Sequence, residues 1–530
     1  MKKIFFFAAL VISASMMAQT SSVNWYDLVE PINSIAQGTT SYENVQVNAA
    51  GDILLTGKVA SVGMDPHAVV FGDTVATVAF KENSSQTNEA PFFVKVNEDG
   101  DVKWMVVCND GRFTSYATLP LADGGLLVAA TAYQSQQSVI SFASHYTPAN
   151  TAKYEQDKTQ YGVLLKIDNT GKPSILTKFE QAEVGKTDGI AFRGIETDGT
   201  NFFVLANVKS AVKIAGKTDT IAPKVEGGSL AILKFNAKGE LQGQLQTEGV
   251  AVTASTAKLI YANEKLYSIS GFKGAANDNL KLGSASVEVP NDLNNIAVFV
   301  AKTDLTGEAV HVIAGEKVNN KNSITTYGVV ADASALFISG FYQGGIVTEA
   351  GTLANNTSTN GAFVIKFDLA QDKAVKGLLL KAGTGISSFQ VDGLLAKGDS
   401  LYAYYYDWGA TGDRVFLQAM DKDLALGSRL GLVNTATMGS SRAAAFQGDN
   451  LVYTYYAPKG LSKLSADNDI TVNPTAYRGL VVSQKVFSSP ATSVSEVEES
   501  NQKITKQLNE GNVYILSGDK VYTAAGQKVQ

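Results

Sequence analysis

A nine-residue segment that returns along the chain at nearly constant spacing constrains the fold more than any other feature. It first reads Phe92-Phe93-Val94-Lys95-Val96-Asn97-Glu98-Asp99-Gly100, then Val163-Leu164-Leu165-Lys166-Ile167-Asp168-Asn169-Thr170-Gly171. Further copies occupy 231–239, 299–307, 363–368, 416–421 and 479–485. The lysines at 95, 166, 234, 302 and 366 are separated by 71, 68, 68 and 64 residues. A second element keeps step with the first at 51–57, 125–130, 201–205, 269–272, 338–341, 401–405 and 451–455. Its clearest pair, Ile269-Ser270-Gly271-Phe272 and Ile338-Ser339-Gly340-Phe341, is identical at a spacing of 69. Two independent elements, each present seven times in the same order, mean seven copies of one supersecondary unit of about 68 residues.

Each unit reads as four strands. In the first repeat these are 42–47, ending in the turn Ala49-Ala50-Gly51-Asp52, then 53–58, the Phe-Val-Lys strand, and 101–108. The third strand ends in an Asn/Asp-x-x-Gly turn suited to a tight hairpin. The strands are β-branched and aromatic-rich, almost no helical periodicity appears before residue 490, and 48 Gly against 11 Pro fit many turns between paired strands. The fold class predicted is all-β, a seven-bladed β-propeller. A ring is best locked when one blade draws on both chain ends. The seventh repeat reaches Ser488-Ser489-Pro490 without a fourth strand, while Val23-Asn24-Trp25-Tyr26-Asp27-Leu28-Val29 is an orphan resembling Val102-Lys103-Trp104-Met105-Val106-Val107. Residues 22–30 are therefore expected to supply the outer strand of the last blade. The alternatives are a partial eighth blade or an open solenoid.

Outside the repeats, Met1-Lys2-Lys3, the apolar stretch 4–12 and Ala18 have the layout of a signal peptide over 1–18. The apolar stretch falls well short of the roughly 20 residues that a spanning helix needs, and no later segment supplies them. The expected organisation is a leader at 1–18, a propeller at 19–490, a linker at 491–500 and a short β segment at 501–530. The expected address is exported: periplasm, outer-membrane surface or extracellular.

The layout resembles the SBBP-type β-propeller repeats of exported bacterial proteins. Phe299-Val300-Ala301-Lys302 matches the core of that repeat. Phe71-Gly72-Asp73-Thr74-Val75 resembles its Phe-Gly segment, with Leu282-Gly283 and Ala350-Gly351-Thr352-Leu353 as worn copies. The resemblance covers roughly 22–488 and implies the propeller fold; the scaffold serves many tasks. The closing run Lys520-Val521-Tyr522-Thr523-Ala524-Ala525-Gly526-Gln527-Lys528-Val529 is similar to part of the C-terminal sorting domains of Bacteroidetes type IX secretion cargo. The alternative is a small β appendage.

Composition removes several functions. One Cys excludes an intrachain disulfide framework and a Cys-rich zinc site, and three His leave little room for a His-based metal centre. A net charge of -6 argues against nucleic acid as a partner. Cys108 reads as a small buried side chain. His67 and His145 fall in connections between second and third strands and His311 in a fourth strand, without metal-type partners at short spacing. The runs Asn97-Glu98-Asp99-Gly100-Asp101 and Asp467-Asn468-Asp469 suggest calcium only weakly, since the first lacks the bidentate Glu of an EF-hand and reads as a hairpin turn. No catalytic box, cofactor or metal site emerges.

Candidate ligand-binding residues are fewer. Tyr404, Tyr406 and Trp408 belong to an aromatic cluster in the sixth repeat. Tyr402, Tyr404 and Tyr406 share one strand face and Tyr405 the other, and these rings suit either sugar stacking or interblade packing. Arg112, Arg193 and Arg442 lie near the starts of first strands, at one rim, where they could receive an anionic group. The expectation is a non-enzymatic binding or scaffold protein whose ligand is a protein or glycan at the cell surface. Long connections such as 132–160 would form the variable contact surface. The alternatives are a propeller polysaccharide hydrolase or lyase, and a structural surface component. The enzyme requires carboxylates, or a Tyr/His/Arg group, converging in the central funnel; an apolar funnel would exclude it.

Overall fold

The repeated motif forms blades because each of its parts answers a packing requirement. In the computed structural model, Gly57 pairs with Phe92 and Gly340 with Phe363 across neighbouring strands. A Cβ at Gly340 would lie 2.9 Å from the Phe363 ring, so the second-strand glycine leaves room for the third-strand phenylalanine. The Asn/Asp-x-x-Gly turn is equally specific. Gly100 and Gly171 have φ of 91° and 82°, and added Cβ atoms there would lie 2.9 Å from the Trp25 ring and 2.6 Å from Trp104 Cβ. Each turn thus needs a glycine both for its left-handed backbone and because the preceding blade's outer strand presses on it.

The structure describes residues 22–28, 39–61, 67–71, 74–78, 88–109, 112–133, 138–144, 151–156, 161–182, 189–274, 277–289, 293–316, 323–343, 345–348, 351–353, 361–380, 389–407, 412–435, 440–460, 462–464, 470–472, 474, 478–487, 496–499, 502–509, 512–517 and 520–523. Among these residues all regular structure is strand, and no helix is long and apolar enough to cross a membrane. Seven antiparallel sheets follow one another as blades. Their first strands are Thr39–Val47, Arg112–Pro120, Ile190–Thr197, Val252–Ala262, Ser323–Ala331, Phe389–Lys397 and Ser440–Gln447. Each sheet then adds its second, third and fourth strands outward in order.

The last blade is completed by the chain start. Ser22–Leu28 pairs antiparallel with Arg478–Lys485, from Ser22 opposite Lys485 to Leu28 opposite Leu480. Trp25 occupies the place Trp104 holds in blade 1, and its Nε1–H donates to the Glu98 carbonyl at 2.8 Å. The core is divided accordingly into seven apolar clusters, one between each pair of neighbouring blades, including blades 7 and 1.

The recurring lysine reaches the next blade at 95, 302 and 366, whereas Lys166 pairs with Asp123 of its own blade. Lys95 is 3% exposed and 2.9 Å from Asp52. It also donates to Gly124 O and Asn169 Oδ1 of blade 2, both at 2.9 Å. Lys302 lies 3.8 Å from Asp372 of blade 5, and Lys366 lies 2.9 Å from Asp423 of blade 6.

Four strands per repeat is an underestimate. Hairpins from the connections between second and third strands cross to the preceding blade and pair with its outer edge. Ser138–Ser144 and Thr151–Gln156 of blade 2 extend blade 1, with Phe142 opposite Cys108. Blades 3, 4, 5 and 7 do the same to blades 2, 3, 4 and 6, making those sheets six-stranded. The connection 132–160 is therefore not simply a free contact loop. An outer strand with bare N–H and C=O groups invites pairing, and these hairpins satisfy it. The Phe-Gly segments sit at hairpin turns, where Phe71 pairs with Thr74 and Leu282 with Ala285. Blade 1's own hairpin, His67–Phe71 with Thr74–Val78, is a separate two-stranded sheet.

Near the C-terminus, Glu496–Glu499, Gln502–Asn509, Asn512–Ser517 and Lys520–Thr523 form a four-stranded sheet. It is larger than the short segment expected over 501–530 and begins inside the stretch read as linker. The alternation Glu496-Val497-Glu498 carries a strand period that its composition concealed.

Candidate functional site

The first strands lie at the inner edges of the blades, and six of them break register at the same place, where one residue is inserted against the second strand. The inserted residues are Glu43, Thr114, Arg193, Tyr327, Asp392 and Arg442. Blade 4 carries a longer irregularity between Thr253 and Lys258. Such bulges re-aim a side chain and increase local twist. The residue that follows is small: Asn44, Ser115, Gly194, Gly328, Gly393 and Ala443. A Cβ at Gly194 would lie 3.1 Å from Leu259 Cβ of blade 4, and one at Gly328 would lie 2.8 Å from Leu394 N of blade 6. At these two positions the glycine lets the next blade's first strand approach.

The irregular segments of blades 1, 3 and 4 meet in one cavity of about 320 Å³. Blade 1 contributes Glu43, Lys58 and Glu89. Lys58 Nζ lies 3.6 Å from Glu43 and 3.4 Å from Glu89, so two carboxylates share one ammonium. Ser41 Oγ donates to Glu43 at 2.7 Å. Blade 2 contributes Phe113 and Tyr116, and blade 3 contributes Phe192 and Arg193. The Tyr116 hydroxyl is buried without a hydrogen-bond partner among the described residues. Burial first, then the charges of Glu43 and Glu89, hold its pKa well above the ordinary tyrosine value, so it stays a neutral donor.

Arg193 and Lys258 form the cationic wall. Among the described residues Arg193 Nε is buried without a hydrogen-bond partner. Burial lowers the pKa of both groups, and among the described residues no carboxylate offsets it at either one. Desolvated cations without counter-charges are costly to keep and mark a place where a charge from outside would be welcome.

The arginines proposed from sequence are only partly gathered here. Arg193 and Arg442 hold the same bulge position in blades 3 and 7, but only Arg193 lines the cavity. Arg442 is exposed, 5.8 Å from the Tyr456 ring, and its field reaches Tyr116. Arg112 opens blade 2's first strand, and its side chain lies outside the described residues.

Tyr404 and Tyr406 are not ligand-facing rings. They are 0% and 1% exposed and pack between blades 6 and 7 against Tyr453 and Tyr455. Tyr404 Oη donates to Thr454 O at 2.9 Å. Tyr402 shares their cluster and Tyr405 joins the one between blades 5 and 6, as strand alternation requires. Trp408, His145 and Asp467-Asn468-Asp469 lie outside the described residues.

Other chemistry-bearing residues have structural surroundings. His311 Nε2 lies 3.6 Å from Asp372, with its ring edge-on to Phe367. Asn97 closes its hairpin turn by accepting from Asp99 N and Asp101 N. Cys108 is fully buried. Among the described residues no group of three or more His, Cys, Asp or Glu could hold a metal ion.

Sequence reading missed Glu43, Lys58, Glu89, Tyr116 and Lys258. The available signal was the bulge itself: Phe192-Arg193-Gly194, Thr326-Tyr327-Gly328, Val391-Asp392-Gly393 and Ser441-Arg442-Ala443 all place a large polar residue before a small one. It also missed Glu196, three residues beyond Arg193. Burial pushes the Glu196 carboxyl up to about 7, although Tyr261 N–H donates to it.

No protein-family model and no curated protein matches the chain. Among solved structures it is similar to a protein of unknown function from Dyadobacter fermentans, at 10% identity and a TM-score of 0.37 over 88% of this chain and 99% of that one. It is also similar to the Dos1 propeller, at 10% identity and a TM-score of 0.35 over 96% of each chain. A third similarity is to Pyrococcus horikoshii acylaminoacyl peptidase, at 9% identity and a TM-score of 0.40 over 90% of this chain and 57% of that one.

Proposed function

We propose that this chain is an exported, non-enzymatic propeller that binds a glycan or protein at the cell envelope or surface, with its recognition groups in the channel cavity. The observation that carries this reading is the recurrence of a bulge at one position of successive first strands, three of which deliver charged or polar side chains to a single cavity. A scaffold needs rigid strands but not desolvated, uncompensated cations at its centre. The leader-like segment 1–18 supports export. A screen of the chain from Gln19 on glycan and peptide arrays, repeated with Glu43→Gln and Arg193→Gln, tests the reading. Ligands captured by the wild type and lost in both variants support it; capture that neither variant alters removes it.

A second reading has its own observation. The cavity is not apolar, since Glu43 and Glu89 share Lys58 there, and Glu196, on the same strand as Arg193, keeps its proton close to neutral pH. A carboxylic acid protonated near pH 7 is what a general acid requires in a polysaccharide hydrolase or lyase. Release of reducing ends from acidic or neutral polysaccharides, abolished by Glu196→Gln, would establish that activity in place of simple binding.

A further inference from the structure

We infer that the channel cavity takes a uronate-type sugar, with the ligand's carboxylate on Arg193 and Lys258 and its hydroxyls on the Glu43–Lys58–Glu89 group. The inference rests on the channel reading above and names its ligand class. Three observations carry it. First, the two charge types come from different blades: Glu43 and Glu89 from blade 1, Arg193 and Lys258 from blades 3 and 4. Glu43 and Glu89 are held by Lys58, leaving the two cations without a carboxylate among the described residues.

Second, the cavity carries unfilled hydrogen-bonding capacity. Arg193 Nε and the Tyr116 hydroxyl are both buried donors without hydrogen-bond partners among the described residues. A guanidinium with a free Nε–H can present two parallel N–H groups to a carboxylate, and a phenol can add a third donor. A buried donor left unpaired is costly, and a bound acceptor would remove that cost.

Third, size and lining favour a polyhydroxylated monoanion. A volume of about 320 Å³ is at the small end of small-molecule sites, enough for one or two sugar rings. A multiply charged anion such as a phosphate would bring excess negative charge towards Glu43 and Glu89. A sugar acid instead offers hydroxyl protons to those carboxylates and one negative charge to the cations. Phe113 and Phe192 line the cavity from the core, each 1% exposed, so its accessible recognition groups are mainly the polar and charged ones.

The test is calorimetric titration of the full chain with trimers of galacturonate, glucuronate and mannuronate, a neutral galactose trimer, and a triglutamate peptide. At least one uronate trimer should bind about tenfold or more tightly than the neutral trimer, and more weakly as salt rises. Arg193→Gln and Lys258→Gln should each weaken it about tenfold to a hundredfold, with circular dichroism and thermal unfolding showing a retained fold. Uronate and neutral trimers binding equally, with both weakened by Glu43→Gln, would overturn the carboxylate assignment and leave the channel reading standing. Triglutamate alone binding would overturn the sugar. No uronate binding, together with array ligands indifferent to all three variants, would overturn the inference and the channel reading alike.

Discussion

Glu196 makes the stability of this propeller depend on pH in an unusual direction. Its carboxyl sits on the first strand of blade 3, and burial raises its pKa from the ordinary glutamate value of 4.5 to about 7. Below pH 4.5 it is protonated in both folded and unfolded chains and contributes no difference. Between 4.5 and about 7 the folded chain keeps a proton that the unfolded chain releases, so stability falls as pH rises, by about 1.4 kcal/mol per pH unit. Above 7 the full penalty is present, about 3 kcal/mol. Glu196→Gln preserves the shape, cannot ionise, and retains an oxygen to accept from Tyr261 N–H. It should match the wild type at pH 3.5 and exceed it by about 3 kcal/mol at pH 8. Urea unfolding at four pH values, followed by tryptophan fluorescence, measures the gap, since Trp25 and Trp104 both sit at blade contacts. A gap that does not vary with pH, or one that opens in acid, would refute the burial argument.

Other expectations follow from single contacts. Lys95→Met removes a buried cation from Asp52, Gly124 and Asn169 and, with Lys103 still paired to Asp52, should cost about 2–3 kcal/mol, whereas Lys366→Met, whose partner Asp423 is 77% exposed, should cost no more than about 1 kcal/mol. The ratio of the two denaturant shifts is the measurement. Gly340→Ala should lower the thermal midpoint by several degrees, because the new Cβ meets the Phe363 ring and the Thr325 carbonyl. Deleting residues 22–28 bares the edge of Arg478–Lys485 and should add strand-exchanged species, heavier in sedimentation than the intact chain. Tyr404→Phe should cost about 1 kcal/mol through the lost bond to Thr454 O and leave ligand affinity unchanged.

Much of the architecture was legible because it is written once per repeat. The turn glycine recurs where the preceding blade's outer strand presses on it, the lysine reaches the next blade in three of its copies, and Trp25 betrayed the closing strand by matching Trp104. The crossing hairpins were hidden because donor and acceptor belong to different repeats. Ser138–Ser144 carries its own strand pattern, but nothing local says that Val102–Asn109 is its partner. The cavity was hidden for a related reason. Glu43, Arg193 and Lys258 are unlike one another, and repeat comparison rewards likeness. The tyrosines left two readings open, since aromatic crowding looks the same whether rings face solvent or each other; Tyr404 and Tyr453, ring centroids 6.0 Å apart, take the interblade packing.

The crossing hairpins also give the ring a seam. Blade 6's connection between Asp407 and Asp413 is too short to send a hairpin backwards, so blade 5 keeps four strands. Among the described residues, blades 5 and 6 are joined across that boundary by their apolar cluster and by pairs such as Lys366–Asp423 and Lys422–Asp332, without a shared sheet. Two fragments divided between residues 380 and 389 would each keep every hairpin with the blade that it covers. The exchangeable module of this protein is thus not the 68-residue repeat but a run of blades ending at that junction, and new chain termini belong there.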